Sequence, residues 1–219
     1  MKGKIITANS GERLDAVLKS MGHEPNTVFF KRDSKIEFDN GGETHEVIAH
    51  YRPGTDDCVV EEYKHLRRLY DADQRHVVRP IALVMGEESN AKVIGYVMDR
   101  ARGQSLGSLL QCYAHSTNTD SKKAELKEMI LLGIEGLDAV VRRLSVKGVG
   151  HGDLFVYNNI FVGAAAAVQL IDPAYDVEDA VKMDRMAIEE YRKLYDKLRG
   201  NSSYEEDRAI LEPLLSWFI

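Results

Sequence analysis

Cysteine is scarce: Cys58 and Cys112 are the two in 219 residues, and they stand in dissimilar surroundings. A stapled framework needs more thiols at closer spacing, so both are expected to be reduced. There is no Cys-x-x-Cys and no His-x-x-x-His, and the seven histidines are scattered, which argues against a zinc framework. No apolar run approaches the ~18 residues of a membrane span. Residues 1–22, MKGKIITANSGERLDAVLKSMG, lack the apolar centre of a secretory signal. No membrane partner is expected and a cytoplasmic location is, although non-classical secretion, as of an effector, leaves no mark in a sequence. Positive charge is also short: 29 Lys and Arg against 35 Asp and Glu give a net charge of −6. That argues against nucleic acid as a direct ligand, because phosphate binding usually needs a basic face. No internal repeat occurs, and the one low-complexity tract is Ala164–Ala167.

What is present is a globular composition, 44% apolar and 29% charged, which opposes disorder. The length suits a two-lobed domain or two small ones. Leu14, Val17 and Leu18 mark a short helical face within 11–21. Alternating apolar and polar residues predict antiparallel strands at about 27–32, 35–39 and 45–52, with a turn at Gly41-Gly42. In CVVEEYKHLRRLY, Val59, Tyr63, Leu66 and Leu69 share a helical face. Strands are expected at 77–85 and 92–100, joined by EESNA, then a connector at 101–106 and a loop at 117–123. A long helix is expected over 124–146, where Leu126, Ile130, Ile134, Leu137, Val141 and Leu144 recur at threes and fours. A strand pair at 159–162 and 168–171 follows, then a helix over 178–199, a break at GNSS and a short final helix. The LLSWFI tail is expected to close the second lobe. This order is α+β in two lobes. The first lobe is 1–98, an antiparallel sheet with one helix; the second is 99–219, mostly helical. A hinge is expected near Asp99–Gly103.

Two polar clusters interrupt apolar runs: GVGHGDLFVYNNIFV at 148–162 and VQLIDPAYD at 168–176. Asp153 and Asn158 are five apart, and Asp172 stands fourteen beyond Asn158, behind an apolar strand. Any one of them alone would read as a turn residue. Together they are three oxygen-bearing side chains at the edges of a hairpin. Such oxygens suit magnesium, and a separate carboxylate can orient a hydroxyl and accept its proton. That combination is the chemistry of phosphoryl transfer.

The same residues resemble a known superfamily. His151-Gly152-Asp153-Leu154 through Asn158 looks like the catalytic loop of the protein-kinase-like fold. Gly152 in place of arginine is similar to aminoglycoside and choline-type phosphotransferases and to the small KEOPS-complex kinase. Ile171-Asp172-Pro173 looks like their metal-binding Asp-Phe-Gly counterpart. The resemblance covers roughly residues 27–198 in element order. It implies ATP and magnesium as cofactors, Asp153 as the base, Asn158 and Asp172 as magnesium ligands, and His151 as a structural anchor beneath the loop. VVEEYKHLRRL resembles the helix that offers a glutamate to an ATP-contacting lysine, with Glu62 in the best register and Glu61 its rival. The strand before it, HEVIAHYRP, departs from the pattern. His50 occupies the lysine position, and residues 45–55 contain no lysine. Arg52, on the same strand face, is a candidate substitute, as are Lys31 and Lys35 on preceding strands. The turn KRDSKI also lacks the glycine-rich pattern.

In YVMDRARGQSL, Val97 and Met98 would line an adenine pocket, and main-chain groups near Asp99 and Arg100 would read the base edge. Asp184 falls on an apolar helical stripe of Val181, Ile188, Tyr191, Tyr195 and Leu198. A carboxylate there is costly unless hydrogen-bonded. In the kinase-like fold an aspartate at this place accepts backbone N–H bonds from the catalytic loop. Only 47 residues follow Asp172 (219 minus 172), and no Ala-Pro-Glu segment is among them. So small an acceptor surface favours a protein Ser/Thr hydroxyl and hence a minimal, atypical protein kinase. The alternatives are a kinase for a sugar, lipopolysaccharide core or aminoglycoside, and a nucleotide-binding pseudokinase.

Overall fold

The computed structural model describes residues 4–7, 24–27, 34–40, 43–51, 56–85, 93–116, 119–174, 178–200 and 203–215. The architecture is α+β, and the chain divides into two compact units. The first comprises residues 1–74 and 78–100, the second residues 75–77 and 101–219. The expected helix at 11–21, all but Thr27 of the expected strand at 27–32, the Gly41-Gly42 turn, the EESNA connection, and Lys31 and Arg52 lie outside the described residues.

The first unit holds a six-stranded sheet: β1 (Lys4–Thr7), β2 (Glu24–Thr27), β3 (Ser34–Asn40), β4 (Glu43–Tyr51), β5 (Pro80–Met85) and β6 (Val93–Asp99). The spatial order is β1-β5-β6-β4-β3-β2. The sheet is mixed rather than wholly antiparallel as expected, because β1 pairs in parallel with β5, Ile5 opposite Leu83. KIIT is too short for its period to reveal a strand, and its partner lies 78 residues away (Lys4 to Ala82), so no local signal marks the pairing. β3 and β4 pair from Ser34–Ala49 to Asn40–Glu43.

Helix α1 (Asp56–Ala72) packs its expected face inward, with Val59, Tyr63, Leu66 and Leu69 all buried. The Tyr63 ring lies 6.0 Å from that of Tyr96, which is fully buried on β6. The strand expected at 77–85 begins at Pro80. Val77 instead makes an isolated parallel bridge with Leu170, inside the second unit.

The second unit holds α2 (Leu106–Ala114), α3 (Asp120–Val146), α4 (Ala180–Arg199), α5 (Tyr204–Leu215) and a small antiparallel sheet. That sheet is β7 (Gln104–Ser105), β8 (Ile160–Val162) and β9 (Val168–Leu170), in that order. α2 was not anticipated. It starts where the connector ends, capped by Ser105, whose Oγ accepts from the Ser108 N–H at 3.1 Å. All six apolar positions picked out on the long helix are buried in α3. On α4 the buried stripe is Ala180, Asp184, Ala187, Ile188, Tyr191, Leu194 and Leu198; Leu194 faces inward where Tyr195 was expected. Tyr195 turns its hydroxyl to Glu135 on α3 instead.

Asp207 fixes the last helix. It is fully buried, accepts from the Tyr113 hydroxyl at 2.6 Å, and pairs with Lys127 Nζ at 2.7 Å. Tyr204 packs edge-on against Tyr113 and donates to carbonyls of Tyr113 and Ala114 at 3.0 Å each. Breaking a buried pair strands the remaining charge, so Asp207→Ala is expected to cost about 3 kcal/mol. Exposed Arg142, bonded to Asp138 on the same helix, should contribute little by comparison. Urea denaturation of Asp207→Ala beside Arg142→Ala checks the ranking.

Candidate functional site

Residues 150–152 lie against the N-terminal part of α4, and glycine permits the approach. A Cβ on Gly150 would stand 2.4 Å from the Ala180 carbonyl carbon and the Val181 nitrogen, so any side chain there would collide with helix backbone. Gly152 has φ +83°, a conformation that side chains oppose. With the loop held this way, two consecutive N–H groups point at one carboxylate. Asp184 Oδ2 accepts from His151 N at 2.6 Å and Oδ1 from Gly152 N at 2.8 Å. Asp184 is thus a buried acid whose two oxygens each receive a main-chain donor. Burial drives its pKa from the ordinary 3.8 up to about 6, while the His151 and Gly152 N–H bonds pull in the opposite direction.

His151 is fully buried. Its Nε2 lies 2.7 Å from the Ile171 carbonyl oxygen, which can only accept, so that nitrogen carries the proton. Nδ1 then accepts from the Asp153 N–H at 3.3 Å. The imidazole is a neutral strut between the 151–153 loop and the 171–172 segment. Further main-chain bonds run between the same stretches: Ile171 N to Asn159 O at 3.0 Å, and Ala174 N to His151 O at 3.1 Å.

The two aspartates of interest meet through Asn159. Its Nδ2 lies 3.1 Å from Asp153 Oδ2, 3.2 Å from the Asp153 carbonyl oxygen and 3.1 Å from the Asp172 carbonyl oxygen. Asn159 is buried; Asp153 and Asp172 are half-buried. Asp172 adopts φ +48°, a left-handed conformation that aspartate tolerates better than most side chains and that tends to occur at functional positions.

Asn158, by contrast, is exposed, and its Oδ1 accepts from Ser105 Oγ at 2.9 Å. It hydrogen-bonds to neither aspartate. The difference follows from the short 3₁₀ turn over Tyr157–Asn159, which delivers the residue immediately before β8 to the interior.

The turn between the aspartate and the asparagines is also pinned. Leu154 is buried, and its carbonyl accepts from the Tyr191 hydroxyl at 2.7 Å. Burial, then Tyr157 and Asp153, push the Tyr191 pKa well above its ordinary range, so the hydroxyl remains a donor.

In the first unit, Glu62 is buried and its Oε1 accepts from the Tyr96 hydroxyl at 2.7 Å. Glu61 is exposed and paired with Lys64 at 2.6 Å, so of the two glutamates Glu62 is the inward one. The backbone of His50 lies in β4, opposite Tyr96, and that of Lys35 lies in β3, opposite Ile48. Met98 is buried on β6. Asp99 is engaged locally: its N–H donates to the Arg79 carbonyl at 2.9 Å and its carboxylate pairs with Arg79 at 3.1 Å.

Among the described residues, no group of three or more His, Cys, Asp or Glu side chains gathers as a ready-made metal cage. The polar groups shown to meet at the loop are the Asp153 carboxylate, the Asn159 amide and the Asp172 carbonyl. No protein-family model matches the chain, and no curated protein matches it either.

Two expectations follow. The Asp184 pKa is raised in the folded state, so its contribution to stability is fully present below about pH 4 and is lost as pH rises through about 6. Asp184→Asn should flatten that part of the pH profile. It should also lower stability by about 1–3 kcal/mol, since an amide nitrogen would then face one of the two N–H donors. Urea midpoints from pH 4 to 7 report both effects. Likewise, Asn159→Ala should destabilise by about 1–3 kcal/mol, and Asn158→Ala by distinctly less. Comparable losses would refute the assignment of Asn159 as the bridging amide.

Proposed function

We propose that this chain is an ATP- and magnesium-dependent phosphotransferase with a two-lobed, protein-kinase-like architecture, acting on a Ser/Thr hydroxyl of a protein. The observation that carries the reading is the meeting of Asp153 and Asp172, nineteen residues apart, on the single amide of Asn159. Asn159 thereby ties the Asp153 carboxylate to the backbone at Asp172.

The donors fit the group. Both His151 ring nitrogens are hydrogen-bonded within the protein, which leaves hard oxygens and no imidazole at the site. Asp172 would hold the magnesium, with the Asn158 amide oxygen beside it; that oxygen accepts from Ser105 and has a second lone pair. When bound, the metal neutralises charge between the β- and γ-phosphates. Asp153 orients the acceptor hydroxyl and takes its proton, and the Asn159 bond to Oδ2 fixes the carboxylate's orientation. The alignment of the two aspartates falls to Asn159 rather than Asn158, because Asn159 is the one bonded to both segments. Asp184 and His151 act through the backbone as positioning residues. Glu62, buried on α1, would orient a cation toward the phosphates. His50 and Arg52 are the candidates for that cation, and Met98 and Asp99 would border the base. The absence of lysine at His50 favours one rival reading, a nucleotide-binding pseudokinase.

The test is incubation with labelled ATP and magnesium, scoring autophosphorylation and transfer to lysate proteins. Asp153→Asn keeps an oxygen for the Asn159 bond and removes the proton acceptor. It should reduce transfer by about 10²–10⁴-fold. Transfer at the original rate in Asp153→Asn refutes the reading. Label released only into sugars points to a small-molecule kinase, and thermal stabilisation by nucleotide without any transfer points to the pseudokinase.

A further inference from the structure

Immediately after Asp153 the chain passes from burial to exposure. Leu154 is 1% exposed, yet Phe155 and Val156 expose 43% and 39% of their surfaces. Isolated apolar residues at a surface need no explanation. These two are consecutive, and the turn that carries them is tied down on both sides. The Leu154 carbonyl is held by the Tyr191 hydroxyl at 2.7 Å, and the Val156 carbonyl by the Asn159 N–H at 2.9 Å. Tyr157 packs edge-on against Tyr191, ring centroids 5.3 Å apart. The backbone therefore cannot turn Phe155 and Val156 inward without releasing the bonds that fix Asp153 and Asn159.

We propose that Phe155 and Val156 form an acceptor subsite, and that the hydroxyl presented to Asp153 belongs to a peptide with apolar side chains flanking it. This rests on the phosphotransferase reading above. A polyhydroxylated sugar or a cationic aminoglycoside is recognised by hydrogen-bonding or acidic groups placed around its own polar groups. The exposed pair offers neither, and the Asn159 amide beside it is already engaged with the two aspartate segments. A preformed apolar platform that costs no ordering on binding suits an apolar side chain next to the reacting group. In the transfer, the acceptor oxygen bonds to the γ-phosphorus as the bond from that phosphorus to the β–γ bridging oxygen breaks. The hydroxyl proton passes to Asp153, and ADP leaves with the electron pair.

The experiment uses the full chain with magnesium and ATP and synthetic peptides bearing one central serine, flanked by leucine and phenylalanine, by aspartate, or by lysine. The apolar-flanked peptides should be preferred by ~10-fold or more in kcat/KM. In the double variant Phe155→Ser, Val156→Ser, that preference should disappear, chiefly through a ~10-fold rise in KM, while Phe155→Leu should retain it. A merely structural role would lower activity on all three peptide sets alike. Equal use of the three sets by the unaltered protein, a preference for charged flanks, or transfer to hexoses alone overturns the subsite while leaving phosphotransfer intact. Absence of both transfer and nucleotide-induced stabilisation overturns the phosphotransferase reading and this inference with it.

Discussion

The carboxylate of Asp184 is the constraint on which the site depends. It is one of the few buried charged groups in the described structure, and each of its oxygens receives a main-chain donor from the loop at 151–152. An unbonded acid in that position would oppose folding, so helix α4 can close its apolar stripe only with the loop in place. The loop in turn can reach the acid only because Gly150 lies flush on the helix and Gly152 adopts a left-handed conformation. Local backbone geometry and long-range packing are thereby satisfied together.

From that anchor the organisation spreads outward through polar groups of decreasing burial. His151 carries the loop's position to the Ile171 carbonyl, and Asn159 carries it to Asp153 and Asp172. The half-buried aspartates stand at the end of this chain, Asp153 held by its carboxylate and carbonyl and Asp172 by its carbonyl.

Much of the helical structure was legible in the sequence, because a buried face repeated every three to four residues leaves a pattern over many turns. Val59, Tyr63, Leu66 and Leu69 on α1, and the six positions on α3, are buried as their spacing indicates. Asp184 was conspicuous for the opposite reason, a charge on an apolar stripe. β1 and α2 leave no such pattern, because four or nine residues give periodicity little room and β1 depends on a distant partner. The bridging role of Asn159, beside the expected ligand Asn158, was hidden for a different reason. Which of two adjacent asparagines turns inward depends on the 3₁₀ turn before β8, and that turn is fixed by tertiary bonds rather than by local propensity.

The interleaved connectivity has a consequence for dissection. Residues 75–77 belong with the second unit, although residues on both sides of them belong with the first. His76 receives the Leu170 N–H at 2.8 Å, and Val77 bridges to Leu170, so this short passage shields the outer border of β9. A fragment starting at Ala101 would lack that cover and leave β9 with an open, adhesive margin. The smaller sheet is completed by residues encoded well upstream of the rest of its unit, and the two units are therefore not separable by a single cut.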